Sequence, residues 1–113
     1  MAKHDQNLDR VFQALSDPTR RKILGRLAAG PLAVSDLARP TGFALPTVMR
    51  HLQVLEDAQL VTSTKSGRTR VCQSLPGTLA SASGWLAAQA AQWQAQTDRL
   101  EAYAQQLIKE KRA

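Results

Sequence analysis

One cysteine and two histidines in 113 residues remove several classes of protein at once. Cys72 alone excludes an internal disulfide framework and any site built on several thiolates. His4 and His51 lie too far apart along the chain to form a site by themselves. No stretch approaches the roughly 20 apolar residues that a bilayer-spanning helix needs. The chain has no glycine loop of the kind that cradles phosphates, and no serine or cysteine with a plausible neighbouring base. Enzymatic, metal-binding and cofactor-dependent readings therefore find no support. Met1 to Arg10 is polar with charges of both signs, which does not read as a signal peptide, so a cytoplasmic protein is expected.

What the chain does have is ordinary globular composition and unevenly placed charge. At 43% hydrophobic and 21% charged, 113 residues suit a single domain with a modest core, one that a second copy of the chain often completes. The net charge is +6, and all of it falls between Arg20 and Arg70. Arg20, Arg21, Lys22, Arg26, Arg39, Arg50, Lys65, Arg68 and Arg70 outweigh Asp36, Glu56 and Asp57 there. Such a concentration fits a polyanion, usually nucleic acid; a merely solvated basic surface is the competing reading.

Leu8, Val11, Phe12 and Leu15 recur at helical spacing and predict a first helix. Asp17-Pro18 opens a second, because the carboxylate accepts from free backbone N–H groups and proline is tolerated at the first helical position. Ile23, Leu24 and Leu27 form its buried stripe, and Gly30-Pro31 stops it. A short third helix carries Val34, Leu37 and Ala38, and Pro40 and Gly42 end it. The fourth begins near Leu45 or Pro46. It buries Val48, Leu52 and Leu55 and turns Pro46, Arg50 and Gln53 the other way. Two β-prone runs around Ser66-Gly67 then predict a hairpin with Lys65, Arg68 and Arg70 at its tip. From Thr78 to Lys109 a long amphipathic helix is expected, with a break near Gly84 and fraying over residues 109–113. Leu86, Trp93, Leu100 and Leu107 fall seven apart, with Ala90, Thr97 and Ala104 beside them. At 1.5 Å per residue this helix would run roughly 45 Å, more than so small a domain can cover, and a partner chain is the natural cover.

Two helices, a turn, an outward polar face and a basic hairpin are the parts of a winged helix-turn-helix: mainly α, with a small β-hairpin wing. One helix enters the major groove, where its outward side chains meet base edges. Arg50 suits guanine and Gln53 adenine, Thr47 a base or phosphate, and Met49 a thymine methyl. Lys65, Arg68 and Arg70 suit backbone phosphates or the minor groove. Plain solvent exposure is the alternative for Arg50 and Gln53. His51, beside Leu52, suits a structural hydrogen bond or a phosphate contact better than a metal. Arg20 is left open between the Asp17 region and a phosphate. Trp85 and Trp93 either line a pocket or fill an interface.

The run Leu15-Ser16-Asp17-Pro18-Thr19-Arg20 with Ile23-Leu24 is similar to the opening signature of ArsR/SmtB-type repressors. Val34-Ser35-Asp36-Leu37-Ala38 and the segment from Pro46 to Val61 resemble their helix-turn-helix, and Gly67-Arg68 matches their wing turn. The resemblance covers residues 8–75. It implies a homodimer joined through its first and last helices, here Leu8, Phe12, Leu86, Trp93, Leu100 and Leu107, which binds a near-palindromic operator and blocks transcription. On this reading residues 1–113 are one domain, with the core and wing at 8–75 and a dimerisation helix at 78–109.

The departures from the family narrow that reading. Relatives that sense metal often carry Cys-x-Cys in the third helix, where this chain has Ala33-Val34-Ser35-Asp36-Leu37. Others hold zinc between their last helices through carboxylates and histidines. Here that helix has no histidine, and its acids are Asp98, Glu101 and Glu110. The tail from Trp85 to Tyr103 resembles a metal-independent branch, so no metal and no cofactor are expected. Ala44 stands where relatives often place a capping serine, at a cost of about 1 kcal/mol of helix stability. Two other readings stay open: a protein-interaction module, and redox gating through Cys72.

Overall fold

The computed structural model describes residues 3–112, with side chains from Asn7 onward; His4 lies outside those side chains. Its elements are α1 (Lys3–Leu15), α2 (Pro18–Leu27), β1 (Leu32–Ala33), α3 (Val34–Ala38), a 3-10 turn (Arg39–Thr41), α4 (Leu45–Asp57), β2 (Val61–Ser66), β3 (Thr69–Ser74) and α5 (Pro76–Arg112).

Local chemistry accounts for most of the boundaries. Ser16 donates its hydroxyl to the Gln13 carbonyl (2.6 Å) as α1 ends. Asp17 caps α2 by accepting from the Arg20 backbone N–H (3.1 Å), with Pro18 in the first turn. At the end of α4, Gln59 adopts φ 61°, and two bonds close the helix: Gln59 N–H to the Glu56 carbonyl and Leu60 N–H to the Leu55 carbonyl, both 2.9 Å. This is the Schellman arrangement, with glutamine in the left-handed position that glycine usually takes. Between β2 and β3 only Gly67 and Arg68 remain outside the strands. Gly67 has φ 63° and Arg68 does not share its positive φ, the pattern of a tight hairpin turn that favours glycine first.

The sheet holds one strand more than the predicted hairpin. β1 adds antiparallel to β3, with Leu32 opposite Cys72 and Ala33 opposite Val71, giving the order β1-β3-β2. Two residues are too few to show an alternating pattern, so only the pairing makes them a strand. The 3-10 turn after α3 was likewise not foreseen. It is stabilised by Thr41, whose hydroxyl donates to the Ala38 carbonyl (2.6 Å) and accepts from the Phe43 backbone N–H (3.1 Å).

The chain divides into two compact units, one up to Ala82 and one from Ser83 onward. The first holds the core: Val11 and Ala14 of α1, Ile23 and Leu27 of α2, Leu37 of α3, and Val48, Leu52 and Leu55 of α4 meet Leu60, Val61, Cys72 and Ala82. Leu8 and Phe12 are half-buried. The second unit is helix alone, and every described residue in it except Gln89 is exposed.

Two expectations for the last helix need correction. It does not break at Gly84 and is not frayed over 109–112, but runs from Pro76 to Arg112. Alanine, glutamine and leucine around the glycine have high helix propensity and outweigh its cost of about 1 kcal/mol. Lys109, Lys111 and Arg112 in the last turn complement the negative end of the helix dipole.

Candidate nucleic-acid interface

α4 presents the face the sequence predicts. Val48, Leu52 and Leu55 anchor it in the core, and Pro46, Thr47, Met49, Arg50 and Gln53 are exposed. Its start has no side-chain cap: Ala44 supplies only its carbonyl, which accepts from Thr47 (3.0 Å) and Val48 (3.2 Å). Pro46 in the first turn removes one N–H that would otherwise need a partner.

The basic residues sort into two groups that the sequence could not separate. Arg20 is part of the scaffold: Nε donates to the Ala14 carbonyl (2.7 Å) and Nη2 to the Gln13 carbonyl (3.1 Å). Arg21 Nη1 donates to the Leu15 carbonyl and Arg26 Nη1 to the Asp36 carbonyl, each at 2.7 Å. Arg39 pairs with Asp36 at 3.4 Å on an exposed surface, where such a pair adds little. Among the described residues, Lys22, Arg50, Lys65 and Arg68 have no hydrogen bond or ion pair within the chain. Much of the local excess charge thus ties α2 to its neighbours, and the remainder is offered outward.

His51 takes the structural role. Its Nδ1 accepts from Arg20 Nη1 at 3.2 Å, which requires the tautomer with the proton on Nε2. The same nitrogen lies 3.9 Å from Asp17 Oδ2, and the ring sits 6.4 Å from that of Phe43, tilted by 37°. Asp17's carboxyl is held below its usual range, first by the Arg20 backbone N–H and, more weakly, by the Thr19 N–H and the Arg20 guanidinium, against an opposing effect of burial. This cluster joins the start of α2 to the middle of α4.

The wing is tied to α4 as well. Ser63 donates to the Glu56 carboxylate and accepts from Arg70 Nη1 (2.9 Å), so Arg70 is held in a relay to the far end of α4. Lys65 stands opposite Arg70 across the ladder and Arg68 occupies the turn, which places three cations at one tip. Gln53 is also engaged, donating to Asp57 Oδ1 at 2.8 Å. Of the seven side chains expected to contact DNA, Gln53 and Arg70 each carry one internal hydrogen bond, and both keep further donors for an outside partner. Between α3, the start of α4 and the wing lies a cleft of about 240 Å³, where Met49, Arg68 and Arg70 meet Ser35, Leu45 and Thr69. The place of the last three in this cleft is not legible in the sequence, since a hydroxyl or a leucine carries no charge signal.

Cys72 is fully buried on β3, and burial, with the Glu56 charge behind it, pushes its thiol pKa up against the pull of Arg70. A thiol kept protonated is a poor nucleophile and a poor redox sensor. Among the described residues no helix is long and apolar enough to cross a membrane.

A helix-turn-helix domain model matches residues 15–64. The chain is 51% identical over 72 residues to the HTH-type transcriptional regulator Rv2034 of Mycobacterium tuberculosis, covering 64% of this chain and 67% of that one. It is 36% identical over 61 residues to the transcriptional repressor SdpR of Bacillus subtilis, covering 54% and 68%. Among solved structures, the crystal structure of an ArsR family transcriptional regulator matches with TM-score 0.76 and 44% identity, over 83% of this chain and 97% of that one. A homodimeric winged helix-turn-helix DNA-binding domain from Mycobacterium bovis matches with TM-score 0.63 and 26% identity, over 79% and 88%.

Proposed function

Since the chain belongs to the ArsR family of winged helix-turn-helix transcriptional regulators, we propose that it represses transcription as a cytoplasmic homodimer on a near-palindromic operator. The observation that carries this reading is the outward face of α4, where Arg50 has no internal partner, beside a wing tip whose Lys65 and Arg68 are equally unengaged. A guanidinium on a helix that fits the major groove matches the paired acceptors of guanine. Gln53 reads adenine; Thr47 and Met49 flank them. Lys65, Arg68 and Arg70 hold the phosphates and set the register.

Residues 8–75 serve as the DNA-binding core and wing, and 78–109 as the dimerisation helix. Leu86, Trp93, Leu100 and Leu107, exposed in the single chain, form the seam with a second copy, joined by Leu8 and Phe12. The homodimeric Mycobacterium bovis domain supports that assembly. The reading invokes no cofactor and no bound metal: the stretch Ala33-Val34-Ser35-Asp36-Leu37, where metal-sensing relatives often carry Cys-x-Cys, has no cysteine, and α5 has no histidine.

The test is fluorescence anisotropy with DNA from upstream of the gene and a scrambled duplex, over a salt series. Specific binding should exceed non-specific binding by about a thousandfold and weaken steeply with salt. Arg50→Ala should cost about 1–3 kcal/mol on the operator alone. Equal loss on both duplexes would remove the base-reading role. A protein that binds neither duplex at low salt would instead be a protein-interaction module.

A further inference from the structure

A second cleft, outside the proposed DNA-contacting residues, lies between α2 and the turn that leads into α4. Its volume is about 400 Å³, within the range of small-molecule sites, which run from roughly 300 to 1,000 Å³. Ile23, Pro40 and Phe43 supply apolar walls, and Lys22 and Arg26 supply charge; none of the lining residues carries a carboxylate. Arg26 spends Nη1 on the Asp36 carbonyl, which orients its remaining N–H groups, and Lys22 has no partner among the described residues. Phe43 is 48% exposed, a large aromatic surface that the fold leaves uncovered.

Gly25 is the independent observation. It sits in the middle of α2 with no positive φ to require glycine, where alanine is the better helix former. A Cβ built there meets nothing within 4 Å. The missing side chain leaves room in the cleft and serves no turn or close contact.

We infer that this cleft is an effector site for a small organic anion with a flat apolar body. Its carboxylate lies between Lys22 and Arg26, and its rings lie against Ile23, Pro40 and Phe43. Occupancy acts on DNA affinity through the turn. Thr41 bonds both Ala38 and Phe43, and Phe43 packs beside His51 of α4, so a ligand touching Thr41 and Phe43 bears on how α4 begins. The regulatory half rests on the DNA-binding reading; the binding half does not.

The experiment is an amide-detected NMR titration of the full chain with 1-naphthoate, and with 1-naphthamide as its neutral counterpart. Naphthoate shifts should cluster at residues 19–26 and 39–43, with the amide at least about tenfold weaker. Lys22→Gln should bring naphthoate down to the amide's affinity, and Gly25→Leu should abolish saturable binding in a chain that stays folded. Equal binding of acid and amide overturns the site, as do shifts centred on α5. Should Gly25→Leu not fold, an unchanged affinity in Lys22→Gln overturns it instead.

In the anisotropy assay, saturating naphthoate should change operator affinity at least about fivefold in the wild type and not in Gly25→Leu. No change in the wild type overturns the effector role. So does a Lys22→Gln protein that, without naphthoate, loses affinity for operator and scrambled DNA alike with a flatter salt slope, because Lys22 is then a phosphate contact. A chain that binds naphthoate but no DNA removes the repressor reading and leaves the site standing.

Discussion

Two helical stretches of this chain carry apolar residues in a helical repeat, four and three apart in α4 and seven apart in α5, and meet opposite fates. In α4, Val48, Leu52 and Leu55 are at most 3% exposed. Beyond Ser83 in α5, Leu86, Trp93, Leu100 and Leu107 are 47–69% exposed. The difference lies in what surrounds each stripe. α4 is closed in by α1, α2, α3 and β2 of its own chain, whereas an apolar row left open over several turns marks a surface that binds something. Periodicity identifies the face and leaves open what covers it.

The comparison can be broken at either end. Leu55→Ala should empty a fully buried site and lower the stability of the first unit by about 2–5 kcal/mol, read by urea denaturation; a loss below 1 kcal/mol, on the order of a surface change, would mean that the core can collapse around it. Leu100→Glu should leave the circular dichroism spectrum intact while weakening self-association by about 2–4 kcal/mol in analytical ultracentrifugation. If the oligomer is unchanged, the stripe is not the seam, and α5 is free for another protein.

Smaller effects sharpen the account of how α4 and α2 are bounded. Gln59→Gly relieves a left-handed glutamine while keeping both closing bonds of α4, and should stabilise the protein by about 0.5–1 kcal/mol in thermal melts. A lowered midpoint would show that the glutamine side chain contributes more than its backbone costs. The smallest effect concerns pH. Asp17's carboxyl is depressed below 3.8 in the folded chain, so its contribution is complete above that value and lost as pH falls through the lower, folded one. Asp17→Asn keeps a capping acceptor that does not titrate. The wild-type melting temperature should therefore drop toward that of the variant below about pH 4, and parallel curves would remove the carboxylate from the cap.

Much of the first unit was legible. Asp17-Pro18 marked a helix start because a carboxylate and a proline solve a local problem, unpaired N–H groups, that needs no distant residue. The two faces of α4 followed from spacing alone, and the β2–β3 turn followed from a glycine able to adopt positive φ. What escaped was non-local. Leu32–Ala33 became a strand only by pairing with Val71 and Cys72, some forty residues away. Arg20, indistinguishable from Arg50 in sequence, became scaffold because the carbonyls of Ala14 and Gln13 and the ring of His51 converge on it.

By itself, then, the sequence determined where α2 and α4 start, which faces are apolar and how charge is apportioned along the chain. These depend on backbone geometry and on neighbours within a few residues. Only the tertiary structure decided which cations are spent internally and which remain for a ligand, that Arg20 meets His51, and that Gly25 opens onto a cleft. Each of those outcomes depends on distances between segments remote in sequence, and a hydrogen bond or a cavity exists only once the fold has set them.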